Sequence, residues 1–96
     1  MARKLENEEL GAEVVMPSPL TGKHWDKHQK AMADYRQFGP ISQSFHAALA
    51  IMESGHYRLD NGELAEIDEN APIAVLRWLG EAANEYVGDA LGLSKN

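Results

Sequence analysis

The sequence predicts an all-α fold: a small three-helix domain carrying an N-terminal extended strap. Three observations lead there. The stretch Asn70 to Gly92 repeats its apolar residues with the 3.6-residue period of a helix, and Thr21 to Phe38 and Ile41 to Glu53 do the same less cleanly. Gly39-Pro40 and Gly55 fall where two of these periods stop, as helix breakers do. Ninety-six residues of which 44% are apolar suffice for one core and little more.

The division that follows is a polar, mobile arm over 1–13, a single helical domain over 14–92 and a polar tail over 93–96. Residues 1–13 carry only Leu5 and Leu10 as large aliphatic side chains after Met1, too few to oblige them to order. Val14, Val15 and Met16 precede Pro17 and Pro19. Residues before proline are pushed toward extended conformations, so this segment reads as an edge strand or a strap over something apolar.

Thr21 is a plausible N-cap for the first helix, whose face collects His24, Trp25, His28, Ala31, Met32, Tyr35 and Phe38 within an arc of about 140°. His24 and His28, four apart, share a side and could ligate a metal together. Trp25 stands where a zinc protease needs glutamate, and no third ligand follows at a fixed spacing. They are therefore expected to border the core, with no metal and no cofactor. The second helix runs from about Ile41 to Glu53 with Pro40 at or near its first turn, and turns Ala48, Ile41, Met52, Phe45 and Leu49 inward, with Ile51 widening that face and His46 on the solvated side.

Between Gly55 and Asn70 the dipeptide Asn61-Gly62 signals a turn, and either a short hairpin over 57–67 or a turn with one helical turn satisfies the flanking residues. The acids Asp60, Glu63, Glu66, Asp68 and Glu69 lack the spacing of a calcium loop and read as solvated. Asn70 then caps the longest helix. Its core arc holds Val75, Leu76, Leu79, Gly80, Ala83, Tyr86 and Val87, with Ile73, Ala90 and Leu91 at the ends. Trp78 breaks the pattern: it lies on the outer arc between Ala74 and Ala82, so either the N-terminal segment or another protein should cover it.

The chemistry excludes more than it proposes. There is no cysteine, hence no disulfide framework and no thiol nucleophile. Ser42 and Ser44 lack the surroundings of a nucleophile elbow, and no glycine-rich phosphate loop is present, so no enzyme is expected. Fifteen acidic against nine basic residues give a net charge of −6, which disfavours nucleic acid and anionic membranes as partners. No apolar run approaches the roughly 18 residues of a membrane span, and no secretory signal is visible.

The apolar segment running into Pro-Leu-Thr (Val14 to Thr21), the following Trp25, and the late helix with Ile73, Leu76, Trp78, Leu79 and Tyr86 together resemble the small tail assembly chaperones of long-tailed, siphovirus-type bacteriophages. That resemblance implies a mostly helical, non-enzymatic protein of the host cytoplasm. It would keep the tape measure protein soluble, help tail tube subunits assemble around it, and possess the capacity to form a homo-oligomer. It assigns partner binding to Trp78, Trp25, Val14, Val15, Met16 and Leu20. The alternative expectation is an acidic regulatory or inhibitory module that binds a basic protein surface.

Overall fold

The computed structural model describes residues 2–92. The tail at 93–96 lies outside the described residues. The chain runs β1 (Arg3–Asn7), β2 (Ala12–Met16), α1 (Gly22–Asp34), α2 (Pro40–Ile51), β3 (Ser54–Arg58), β4 (Leu64–Glu66) and α3 (Ile73–Ala90). The strands form one antiparallel sheet in the order β1-β2-β3-β4. The all-α expectation is therefore wrong: the protein is a mixed α/β fold of a four-stranded antiparallel sheet and three helices, of which α2 and α3 share a core with the sheet and α1 packs on α2.

The three helices stand close to where periodicity puts them. Two ends differ: α1 stops at Asp34, with Arg36–Phe38 tightened into a 3₁₀ turn, and α2 stops at Ile51, short of Glu53, because Gly55 belongs to β3 and does not end the helix. Thr21 does cap α1, and its backbone N–H donates to His24 Nδ1 at 3.0 Å, the reciprocal half of a capping box with histidine in place of the usual glutamate. Asn70 does not cap α3. Its N–H is turned instead to Asp68 Oδ1 at 2.8 Å, and Pro72 takes the N-cap position.

The sheet comes from the segments where sequence patterning is weakest. Residues 3–7, expected as an arm, pair with β2 from Arg3↔Met16 to Asn7↔Ala12. The strap, expected at an edge, is the second strand of the sheet, held on its other side by β3 from Ala12↔Tyr57 to Val15↔Ser54. Pro17 does not prevent this, because it follows the last paired residue and no ladder bond needs its missing N–H. Of the two readings for 57–67 the hairpin is the one formed. Leu59 N–H donates to Glu63 O at 2.7 Å, leaving Asp60, Asn61 and Gly62 as a three-residue loop. Gly62 sits at φ +88°, the left-handed position such loops reserve for glycine.

Strand alternation divides the sheet into two faces. Ala12, Val14 and Met16 turn toward the helices and join Phe45, Ala48, Ile51, Ile67, Val75, Leu76, Leu79, Ala83 and Val87 in one core, with Leu5 and Tyr57 packed at its margin. Val14, Met16 and Leu79 are its largest fully enclosed side chains. On the far face, Glu6, Glu13, His56 and Glu66 are consecutive register partners across all four strands. Helix α2 lies against both α1 and α3. Gly80 permits the approach of α3 to α2: a Cβ there would stand 2.8 Å from Ser44 Cβ and 3.0 Å from the Phe45 nitrogen. Asn84 Nδ2 donates to Ser44 Oγ at 3.0 Å beside it, and Gln43 Nε2 donates to the Met32 carbonyl at 2.7 Å on the α1 side.

Candidate functional site

Where the start of α1 passes the end of α3, the helices do not close on each other. They leave an apolar groove of about 310 Å³, with Leu20, Trp25 and His28 on one wall, Ile51 at the side, and Val87, Ala90 and Leu91 opposite. Two features fix its walls. The His24 ring is held by the Thr21 cap, and the Tyr86 hydroxyl donates to the Pro17 carbonyl at 2.6 Å, which ties α3 to the segment that delivers Leu20. Trp25 remains 40% exposed, its ring nearly parallel to that of His28 at a centroid distance of 6.1 Å and 10° between planes.

His28 is the one buried polar residue among those described, at 5% exposure. Its Nδ1 lies 3.3 Å from Gln29 Nε2, while Nε2 is enclosed without a hydrogen-bond partner among the described residues. Burial pushes its pKa below the ordinary value of 6.5, and the neighbouring Asn84 side chain opposes this only in part. The ring is held neutral beneath Trp25 and serves as a flat, weakly polar base to the groove.

The sequence-singled residues separate into three places. Leu20 and Trp25 meet at the groove. Val14 and Met16 have no exposed surface, so in the folded chain they are core and not a contact surface, while Val15 is half-buried on the far face of the sheet. Trp78 lies elsewhere again. It is half-buried against the core, and with Ala82, Glu85, Tyr86 and Asp89 it faces Arg3, Lys4, Leu5 and Glu6 across a second hollow. The N-terminal segment thus does reach Trp78, through β1 and not through Val14 to Met16. The Arg3 guanidinium adds to this contact, 5.8 Å above the Tyr86 ring.

Several residues near these sites were assigned otherwise from the sequence. His46, expected in solvent, has a side chain only 13% exposed. Its Nδ1 lies 2.9 Å from the Ser42 carbonyl and its Nε2 3.5 Å from Glu69 Oε2. Ile51, Val87 and Leu91 appear in the sequence only as members of helical arcs. Nothing in a periodicity marks a core residue that also looks into an opening, and the signal that exists is their position near a helix end. Among the described residues no group of three or more histidines or acids is placed to hold a metal ion, and no helix is long and apolar enough to cross a membrane. No protein-family model, characterised protein or solved structure matches the chain.

Proposed function

We propose that the protein is a non-enzymatic binding module that seats apolar side chains of a client helix in the groove between α1 and α3. The observation that carries this reading is Trp25, a tryptophan left 40% exposed at the mouth of an apolar groove. A groove of about 310 Å³ takes one or two large side chains, as helix-in-groove recognition requires of an amphipathic partner. The resemblance of Val14 to Thr21 and of the late helix to phage tail assembly chaperones supplies a client class: the long apolar helices of a tape measure protein, in the cytoplasm of a bacterial host, with tail tube subunits as the second partner.

The test is a titration of a synthetic amphipathic helix, with leucines at i, i+3, i+4 and i+7, into the Trp78→Phe protein, so that Trp25 alone reports. Binding with a blue shift is expected, and Trp25→Ala, whose affinity is read by calorimetry because it keeps no tryptophan, should cost about 2 kcal/mol or more, roughly thirtyfold in Kd, the scale of an aromatic hot spot. Equal affinity in the two proteins, or no binding at millimolar peptide, rejects the groove as the client site.

A second reading, the acidic module, draws on the row of Glu6, Glu13, His56 and Glu66. Lys4 Nζ lies 3.7 Å from Glu6 Oε2 and 3.9 Å from Glu13 Oε1, so the row is partly neutralised within the chain. Binding to a basic protein that weakens steeply with salt and is indifferent to Trp25→Ala would favour it.

A further inference from the structure

Strand β1 forms one edge of the sheet, and the direction of its backbone groups follows from its neighbours. Gly11 and Val15 carbonyls accept from Arg58 and Glu53 N–H groups at 3.0 and 2.8 Å, so the odd-numbered residues of β2 face β3. Alternation then turns Ala12, Val14 and Met16 toward β1, where their partners are Asn7, Leu5 and Arg3. The N–H and C=O groups of Lys4 and Glu6 are left pointing out of the sheet.

We propose that this edge pairs with the same edge of a second copy of the chain, antiparallel and centred on Leu5, to give a continuous eight-stranded sheet. Outward-facing residues must meet outward-facing residues, which leaves three registers about a two-fold axis. One opposes Lys4 to Lys4 and one opposes Glu6 to Glu6, both like-charge pairs directly across strands. The third sets Lys4 of each copy against Glu6 of the other, with Leu5 against Leu5. Charged edge residues usually discourage strand addition. Here opposite charges two residues apart make the edge complementary to itself, and an isologous two-fold contact needs that property.

The surroundings favour the same occupant. The side chains of Lys4 and Glu6 are 54% and 58% exposed and their mutual contact within one chain is long, at 3.7 Å. Beside them lies the hollow between β1 and α3 with Trp78 in its wall. A two-fold axis through Leu5 brings the two hollows to opposite sides of one seam, so that each copy shields the other's half-buried Trp78. The groove at Trp25 takes no part.

Sedimentation equilibrium over a concentration series tests this with five proteins. The unaltered chain should move from 10.6 kDa toward twice that mass. Glu6→Lys should weaken the dimer by about tenfold or more by opposing Lys4 to a lysine, and the charge exchange Lys4→Glu with Glu6→Lys should restore it. Glu6→Pro removes an outward N–H that β2 does not use, so it should stay folded by circular dichroism and be monomeric. In the dimer the Lys4 and Glu6 amides should exchange hydrogen more slowly as concentration rises. A chain that stays monomeric at millimolar concentration overturns the proposal, as does a dimer untouched by Glu6→Pro. Trp25→Ala should leave the dimer intact, so loss of client binding and loss of pairing are separate results.

Discussion

The ring of Tyr35 lies flat on that of His46, centroids 3.5 Å apart and planes within 3°, so the end of α1 is joined to α2 by an aromatic stack. Phe45 meets the same imidazole at 4.4 Å and Phe38 approaches Tyr35 at 6.0 Å. Pairs of this kind contribute about 0.5 to 1.5 kcal/mol beyond the area they bury. Tyr35→Leu should therefore lower unfolding free energy by about 1 kcal/mol in urea, and Tyr35→Phe, which keeps the stack, by less than half of that. Equal losses would place the stabilisation in the hydroxyl.

Two glycines of α3 should respond oppositely to alanine. At Gly80 the added methyl meets Ser44 and the Phe45 backbone at 2.8 to 3.0 Å, and forcing α2 and α3 apart should cost about 1 to 3 kcal/mol. At Gly88 nothing lies within 4 Å, so the helix-propensity gain of up to about 1 kcal/mol should come through as a higher Tm. A gain at Gly80 as well would mean that the helices do not cross there.

Leu79 is fully enclosed at the centre of α3. Leu79→Ala should cost about 2 to 5 kcal/mol in chemical denaturation, much of the stability of a domain this size. A loss below about 1 kcal/mol would contradict the burial of that face.

His28 makes stability fall toward acid. Its folded pKa is lowered from 6.5 by burial, so below pH 6.5 the unfolded chain binds a proton that the folded chain resists. The folded state loses stability as pH drops from about 6.5, until the depressed folded value is passed. His28→Leu should flatten this slope between pH 7 and 5, measured as the difference in denaturation midpoint from the unaltered chain. An unchanged slope would show that the imidazole is charged in the folded protein.

The helices were legible because each keeps its period for three turns or more. Val75, Leu76, Leu79, Ala83 and Val87 are buried as their spacing requires, and Ile73, Ala90 and Leu91 at the ends of that arc stay exposed. The sheet was not legible. Strand β1 signals itself by one inward residue of size, Leu5, between Lys4 and Glu6, and its stability is supplied by β2, which a local pattern does not reveal. The β3–β4 turn was recognised at Asn61-Gly62, but the loop has three residues and not two, because Leu59 pairs with Glu63 and Asp60 joins the turn. Of the site, Trp25 and Leu20 were visible as apolar residues near a helix start. The opposite wall was not, since Val87 and Leu91 come from the far end of the chain and meet them only through the packing of α3.

The position of β2 between β1 and β3 also dictates an order of assembly. The β1–β2 hairpin is closed by contacts local in the chain and can form as soon as its residues leave the ribosome. Its second edge must wait for β3, which is synthesised only after α1 and α2, and its apolar face must wait for α3. Until then Val14 and Met16 lack the α2 and α3 side chains that cover them in the finished core, and a two-stranded hairpin by itself is marginal in water. Contacts this distant in sequence slow folding through the loop that must close first. The segment that follows β4, carrying Leu79 and Val87, is thus the one that closes the core over Val14 and Met16.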